Sequence, residues 1–158
     1  MISLVINLVI SVIWMLLDRE MSVLGFAIGF VIGFAMIWLF QPVLQSRNYV
    51  RRVLGAVRFI AIFSRAFLAS CWSIGRAALF GSIDSLEPRL ISYDVRGLSR
   101  FEIFLLSHCI SLTPGTTTVD ISDDLSTFIL HVLDTHDPDE VRRDIDKTFR
   151  QGILAFTR

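Results

Sequence analysis

The sequence predicts a membrane α-helical hairpin, then a long amphipathic helix, then a small α+β domain of βαββα order. Three observations carry that prediction. Residues 22–40 are nineteen residues without a charge, and at the helical rise they cover about 28 Å of the ~30 Å hydrocarbon core of a bilayer. The charge is divided: residues 1–82 hold seven arginines against Asp18 and Glu20, a balance of +5, while residues 83–158 hold eight Lys or Arg against thirteen Asp or Glu, a balance of −5. The apolar pattern also changes after residue 88, from long runs to short alternating and helical segments. The chain is 53% hydrophobic yet 19% charged, with a mean hydropathy of +0.62. That mixture fits a membrane-attached protein whose zero net charge is a cancellation between two parts. An acidic water-facing half excludes nucleic acid as a partner.

The first apolar run, Ile2 to Leu17, is sixteen residues without a charge, a little short of a comfortable span. A cleavable signal peptide would want a basic start and a small-x-small cleavage site, and the run has neither. Ser3, Asn7 and Ser11 recur every fourth residue and form one small, polar helix face. Asn7 in hydrocarbon needs a hydrogen-bond partner, so it is expected to point toward a neighbouring helix. In the second run Gly25, Gly29 and Gly33 repeat at the same spacing. Glycine faces let backbones approach closely where no hydrophobic effect drives helices together, so the two faces are expected to form a helix-packing interface. Asp18, Arg19, Glu20 and Met21 leave room for a tight hairpin between the runs. Arg47, Arg51, Arg52, Arg58 and Arg65 follow the second run, against Arg19 alone in the loop. Both ends of the hairpin, and the C-terminal domain, are therefore expected on the cytoplasmic side.

Residues 49–82 read as one long helical pattern, so the chain divides into a hairpin at 1–48, this helix, and a domain at 83–158. Arg51, Arg58 and Arg65 recur every seven residues and make an interfacial basic face. Arginines at the centre of a span cost several kcal/mol. A helix lying in the interface would hold them near anionic head groups and bury Phe59, Ile62, Phe63 and Phe67 in the membrane lipids beneath. A third span, its arginines neutralised by a partner carboxylate, is the alternative.

In the last part Ile91, Tyr93 and Val95 alternate with Ser92, Asp94 and Arg96, the period of a half-buried strand. Gly97 breaks the pattern. Ser99 and Glu102 form a capping box for a helix running through Phe101, Phe104, Leu105 and Cys109. Thr113-Pro114-Gly115-Thr116 ends it, because proline cannot continue the ladder and Pro-Gly is a turn signal. Thr117–Ile121 and Thr127–Leu133 are β-rich runs joined by a polar connection. Asp137 caps a final helix with Pro138 at its first position and Glu140 completing a box; Val141, Ile145, Phe149 and Phe156 are its apolar stripe. Strand, helix, strand, strand, helix resembles a truncated ferredoxin-like domain. At this size it is marginal alone and is expected to lean on the membrane helix or a partner.

The segment Ser111-Leu112-Thr113-Pro114-Gly115-Thr116-Thr117-Thr118-Val119-Asp120-Ile121-Ser122-Asp123-Asp124, followed by His131-Val132-Leu133-Asp134, resembles the signature of the E subunit of multisubunit Mrp-type sodium/proton antiporters. The resemblance extends to the whole architecture, and is tightest over residues 107–134. Homologous subunits also occur in respiratory hydrogenase-type assemblies. The resemblance implies an accessory subunit of a prokaryotic plasma-membrane complex, with other polytopic subunits as partners and the ion-translocating helices elsewhere. Its signature positions here are Leu112, Thr113, Pro114, Gly115, Thr116, Val119, Asp120, His131 and Asp134.

The residues themselves offer no enzyme, cofactor or metal site, and no small-molecule substrate. Cys71 and Cys109 are isolated and read as buried structural thiols. His108, His131 and His136 lack a second ligand at metal spacing. Asp120, Asp123 and Asp124 lack the glycine and glutamate of a calcium loop and read as turn formers. Thr113–Thr116 reads as a helix stop. Two classes remain: a non-catalytic antiporter subunit supporting assembly, and a membrane-anchored adaptor or sensor whose acidic domain docks a soluble partner. The glycine face, Asn7 and the arginines ask for other membrane helices and favour the first.

Overall fold

Two uncharged apolar runs give α1 (Ile2–Leu17) and α2 (Val23–Leu39), the helix satisfying their backbone polar groups within each segment. The computed structural model describes residues 2–17, 21–80 and 87–158; Asp18, Arg19 and Glu20 lie outside the described residues. The side chain of Ser22 caps α2, accepting the Gly25 N–H at 2.9 Å, which satisfies one of the orphan donors of the first turn. After α2 comes a single turn, α3 (Gln41–Leu44), with Pro42 at its start and Gln45 left-handed (φ 48°) at its end. Ser46 then opens α4 (Arg47–Phe80): its carbonyl accepts the Val50 N–H at 3.1 Å, and its hydroxyl donates back to the Ile37 carbonyl at 3.3 Å. The chain forms two compact units, Met1–Leu54 and Gly55–Arg158, so the division falls within α4.

In the second unit β1 (Arg89–Asp94), β2 (Thr116–Ile121) and β3 (Thr127–Val132) make one sheet in the order β1-β3-β2. Both pairings are antiparallel, with Ile91 opposite Leu130 and Thr118 also opposite Leu130 from the other side. The outer strands are thus parallel to each other and joined by α5 (Arg100–Leu112), a crossover with a strand inserted between its ends. The register slips at Val119, a bulge on the β2 edge. The polar β2–β3 connection is organised by Ser122, whose hydroxyl accepts the N–H of Ser126 at 3.1 Å and of Thr127 at 3.0 Å.

The capping box of α5 forms as the sequence predicts: Ser99 N–H donates to Glu102 at 2.7 Å, and Glu102 N–H donates to Ser99 Oγ at 3.3 Å. Its core face is Ile103, Leu106, Cys109 and Ile110, whereas Phe101 and Phe104 are exposed. Apolar residues occupy more than one side of this helix, and the sheet takes the side with branched aliphatics. The last segment runs through α6 (Pro138–Ile145), a π-helical turn at Asp146–Arg150, and α7 (Gln151–Thr157). Asp137 caps it by accepting the Asp139 N–H at 2.9 Å; the box expected with Glu140 is replaced by a bond from the Glu140 N–H to the Asp137 carbonyl at 3.2 Å. The wider π turn keeps Ile145, Phe149 and Ile153, spaced by four, on one buried face. Ile153 therefore joins the stripe, and Phe156 is only half-buried.

One expectation about α4 is corrected within this unit. Phe59 is 7% exposed and belongs to the core cluster of the α+β domain, with Phe63 and Ala66 against it. Its ring centroid lies 5.5 Å from that of Phe156, and Phe63 lies 6.1 Å from Phe149. The aromatic face of the helix meets the domain rather than lipid.

Candidate functional site

The polar face of α1 and the glycine face of α2 lie against each other. Asn7 and Ser11 are fully buried, Gly25, Gly29 and Gly33 are buried, and Ser3 is half-buried. A Cβ at Gly29 would fall 2.9 Å from Ser11 Cα, and one at Gly33 would fall 2.2 Å from Asn7 Oδ1. Numbers rise on one helix as they fall on the other, so the pair is antiparallel. The Ser11 hydroxyl donates to the Asn7 carbonyl at 2.7 Å, keeping its polarity inside its own helix. Asn7 Nδ2 donates to the Tyr49 hydroxyl at 2.6 Å. Tyr49, at the start of α4, also sets its ring edge-on to Phe34 at 6.1 Å. Asn7 Oδ1 is buried without a hydrogen-bond donor; it occupies the space where any residue but glycine at position 33 would place its Cβ. The partner Tyr49 has no signal in the sequence. Arg51, Arg58 and Arg65 are exposed.

The signature residues of the second unit occupy two grooves rather than one site. Thr113, Pro114, Gly115, Thr116 and Asp134 line a cavity of about 480 Å³, whose opposite wall is α4 from Ala66 to Ala77. The threonine hydroxyls turn back into the fold: Thr113 Oγ1 donates to the Cys109 carbonyl at 2.8 Å, and Thr116 Oγ1 to the Ile110 carbonyl at 3.0 Å. Gly115 adopts φ 98°, a conformation glycine holds without strain, and its carbonyl accepts the Leu133 N–H at 2.8 Å. These bonds terminate α5 and start β2. Asp134 accepts the Glu87 N–H at 3.2 Å. Leu112, Val119 and Asp120 line a second groove, of about 520 Å³, between α5 and β2. His131 sits mid-strand opposite Leu90 and Thr117.

Electrostatics in this unit serve the fold. Glu102 is 2% exposed; the Arg158 guanidinium, with help from Thr157 and the Ser99 cap, holds its carboxyl down at about 2 against the cost of burial. Burial, then a 2.5 Å bond to Asp146, pushes the Tyr93 hydroxyl well above its usual range. Arg96 holds exposed Asp94 at about 2. Cys109 is buried and its thiol is pushed up to about 11, which suppresses thiolate chemistry. Cys71, expected to be buried, is exposed on α4. Among the described residues no three His, Cys, Asp or Glu side chains come together to hold a metal.

Residues 7–155 match a family model described as Na+/H+ ion antiporter subunit. The chain is similar to the Na+/H+ antiporter E subunit of Alkalihalophilus pseudofirmus, with 28% identity over 156 residues that take in 99% of this chain and 98% of the relative. Among solved structures it is similar to a chain of the Mrp complex from Dietzia sp., with 24% identity and a TM-score of 0.51 over 65% of this chain and 96% of that one. It is also similar to a chain of the membrane-bound sulfane sulfur reductase, an archaeal respiratory membrane complex, with 19% identity and a TM-score of 0.59 over 98% of both. These two structural likenesses speak for the fold.

Proposed function

We propose a function from one premise: the chain belongs to the family of Na+/H+ ion antiporter subunits, whose model takes in residues 7–155. The protein is a non-catalytic accessory subunit of a multisubunit Na+/H+ antiporter, and it supports assembly of the complex without carrying the ion. One observation carries this role. A proton or sodium relay through a bilayer needs ionisable groups within it, and α1 and α2 contain no Asp, Glu, His, Lys or Arg. Their strongest polar group, the Asn7 amide, is committed to Tyr49.

In this reading α1 and α2 form a membrane hairpin. Their 16 and 17 residues cover about 25 Å each, short enough to ask for local thinning or a partner. The basic-faced α4 lies at the cytoplasmic interface of a prokaryotic plasma membrane, and the C-terminal domain is cytoplasmic. That domain is a ferredoxin-like βαββα unit without its last strand, a reading supported by the order β1-β3-β2. The partners are other polytopic subunits and membrane lipids.

Transport in membrane vesicles, normalised to the amount of intact complex, tests the proposal. Deleting the chain should lower antiport in proportion to lost assembly. Asp18→Asn, Glu20→Gln and Asn7→Ala should leave most of the exchange per assembled complex. Exchange abolished by Asp18→Asn with assembly unchanged would place this subunit on the ion path. Elution from mild detergent as a lone chain would favour the adaptor class.

A further inference from the structure

Beside the shorter apolar helices α1 and α2, α4 is, among the described residues, the one helix long and apolar enough to cross a membrane without thinning it. Its environment in the second unit argues for a different use. The face bearing Phe59, Phe63 and Ala66 is built into the core cluster of the α+β domain. The approach is close: a Cβ at Gly152 would fall 2.6 Å from Phe59 Cδ2, and one at Gly55 would fall 3.1 Å from the Ala155 carbonyl oxygen. Further along, Ser70, Ser73 and Ala77 of the same face wall the groove that contains Asp134 and Asp144. A helix that crossed the bilayer over this stretch would carry an acidic, water-facing domain into hydrocarbon with it.

The opposite face is open. Val57, Leu68, Trp72 and Leu79 are 59%, 65%, 76% and 77% exposed. Their spacings of eleven, four and seven are near whole numbers of turns, so they form one stripe directly away from Phe59. Arg58, Arg65 and Arg76, at spacings of seven and eleven, run along one flank of that stripe. All three are exposed, and none has an ion pair among the described residues. The stripe extends about 33 Å along the axis. Large apolar side chains, a tryptophan, and a line of cations beside them match a planar layer of anionic head groups over acyl chains. A protein partner would have to supply carboxylates at three points along that length.

We propose that this outer face of α4 docks onto the surface of an anionic phospholipid bilayer, so that the helix lies flat between the lipid and the α+β domain. The inference rests on the reading of the chain as a membrane subunit and names the lipid chemistry that this helix takes. It also exchanges the expected lipid-facing residues: Phe59 and Phe63 serve the domain, and Leu68, Trp72 and Leu79 serve the membrane.

The test uses the full chain in nanodiscs of phosphatidylcholine, with and without phosphatidylglycerol. In a Cys71→Ser background a nitroxide is attached at Leu68→Cys, Trp72→Cys or Leu79→Cys in turn, and at Glu140→Cys as a domain control. Accessibility to oxygen and to a water-soluble nickel chelate reports depth. The three helix labels should lie at one shallow depth in anionic discs, with the control in water. Without phosphatidylglycerol, or with Arg58, Arg65 and Arg76 all changed to Gln, the ratio of docked to undocked helix should fall, by roughly fivefold for each arginine. A depth that changes steadily from position 68 to position 79 means a spanning helix and overturns the proposal. Labels that stay in water in anionic discs, and are shielded only in the assembled complex, mean a protein interface and overturn it equally. Co-elution with polytopic subunits is a separate measurement, so failure of the antiporter reading would leave the label depths unchanged.

Discussion

At position 33 a single methyl group decides whether two helices can touch. A Cβ there would lie 2.2 Å from the buried Asn7 Oδ1, so Gly33→Ala must displace Asn7 and break its bond to Tyr49. We expect a loss of about 1–3 kcal/mol, read as a lower unfolding temperature of the full chain in detergent. Gly75→Ala is the control: nothing lies within 4 Å of its Cβ, and alanine favours a helix by up to about 1 kcal/mol. Tyr49→Phe leaves Asn7 Nδ2 buried without its acceptor, at a cost of about 1 kcal/mol. In the second unit Glu102 sets a pH dependence. Its folded carboxyl, at about 2, is more acidic than in the unfolded chain, so its stabilisation is full above the unfolded value and disappears as the pH falls toward 2. Glu102→Gln should therefore be less stable than the parent at neutral pH by about 1–3 kcal/mol. The two melting curves should converge between about pH 5 and pH 2.

At the scale of elements, the sheet ends are closed by side chains rather than by further strands. On the free side of β1, Arg142 Nε donates to the Ser92 carbonyl at 2.8 Å, and Arg150 donates to the carbonyls of Asp94 at 3.0 Å and Arg96 at 3.2 Å. On the free side of β2, Ser111 Oγ accepts the Thr118 N–H at 3.1 Å beside the Val119 bulge. Such covering blunts an edge that would otherwise template another chain. Arg150→Ala should cost only about 0.5–1 kcal/mol, since water can replace the guanidinium, yet it should raise light scattering on warming. None of this was legible in the sequence, where nothing marks Arg142 or Arg150 for a strand edge. What was legible was local: alternation made the strands, Ser99 and Glu102 made a cap, and a spacing of four put Gly25, Gly29 and Gly33 on one face. The reach of Asn7 to Tyr49, 42 positions away, depends on how helices meet and leaves no periodic trace. The same limit explains α4. Its period announced an aromatic face, but a period says nothing of what covers that face, and the covering proved to be Phe149, Gly152 and Phe156.

Across the whole molecule the division of charge and the exposure of the cysteines together make the topology measurable. Arginines crowd the stretch after α2, and such residues are retained on the cytoplasmic side, so the acidic domain is expected there with both ends of the hairpin. Asp123 is exposed in the β2–β3 connection, where a substituted cysteine would meet solvent without disturbing the core. Cys71 is exposed and would report its own position, whereas Cys109 is buried with its thiol at about 11. The useful variant is thus Asp123→Cys with Cys71→Ser and Cys109 retained, because the buried thiol contributes almost no reactive thiolate at neutral pH. A membrane-impermeant maleimide should leave this variant unlabelled on intact cells and modify it fully once the membrane is opened. Labelling of intact cells at the same rate as opened ones would put the domain outside. That result would invert the hairpin and take the arginine-flanked face of α4 away from the anionic cytoplasmic leaflet that the proposed docking requires.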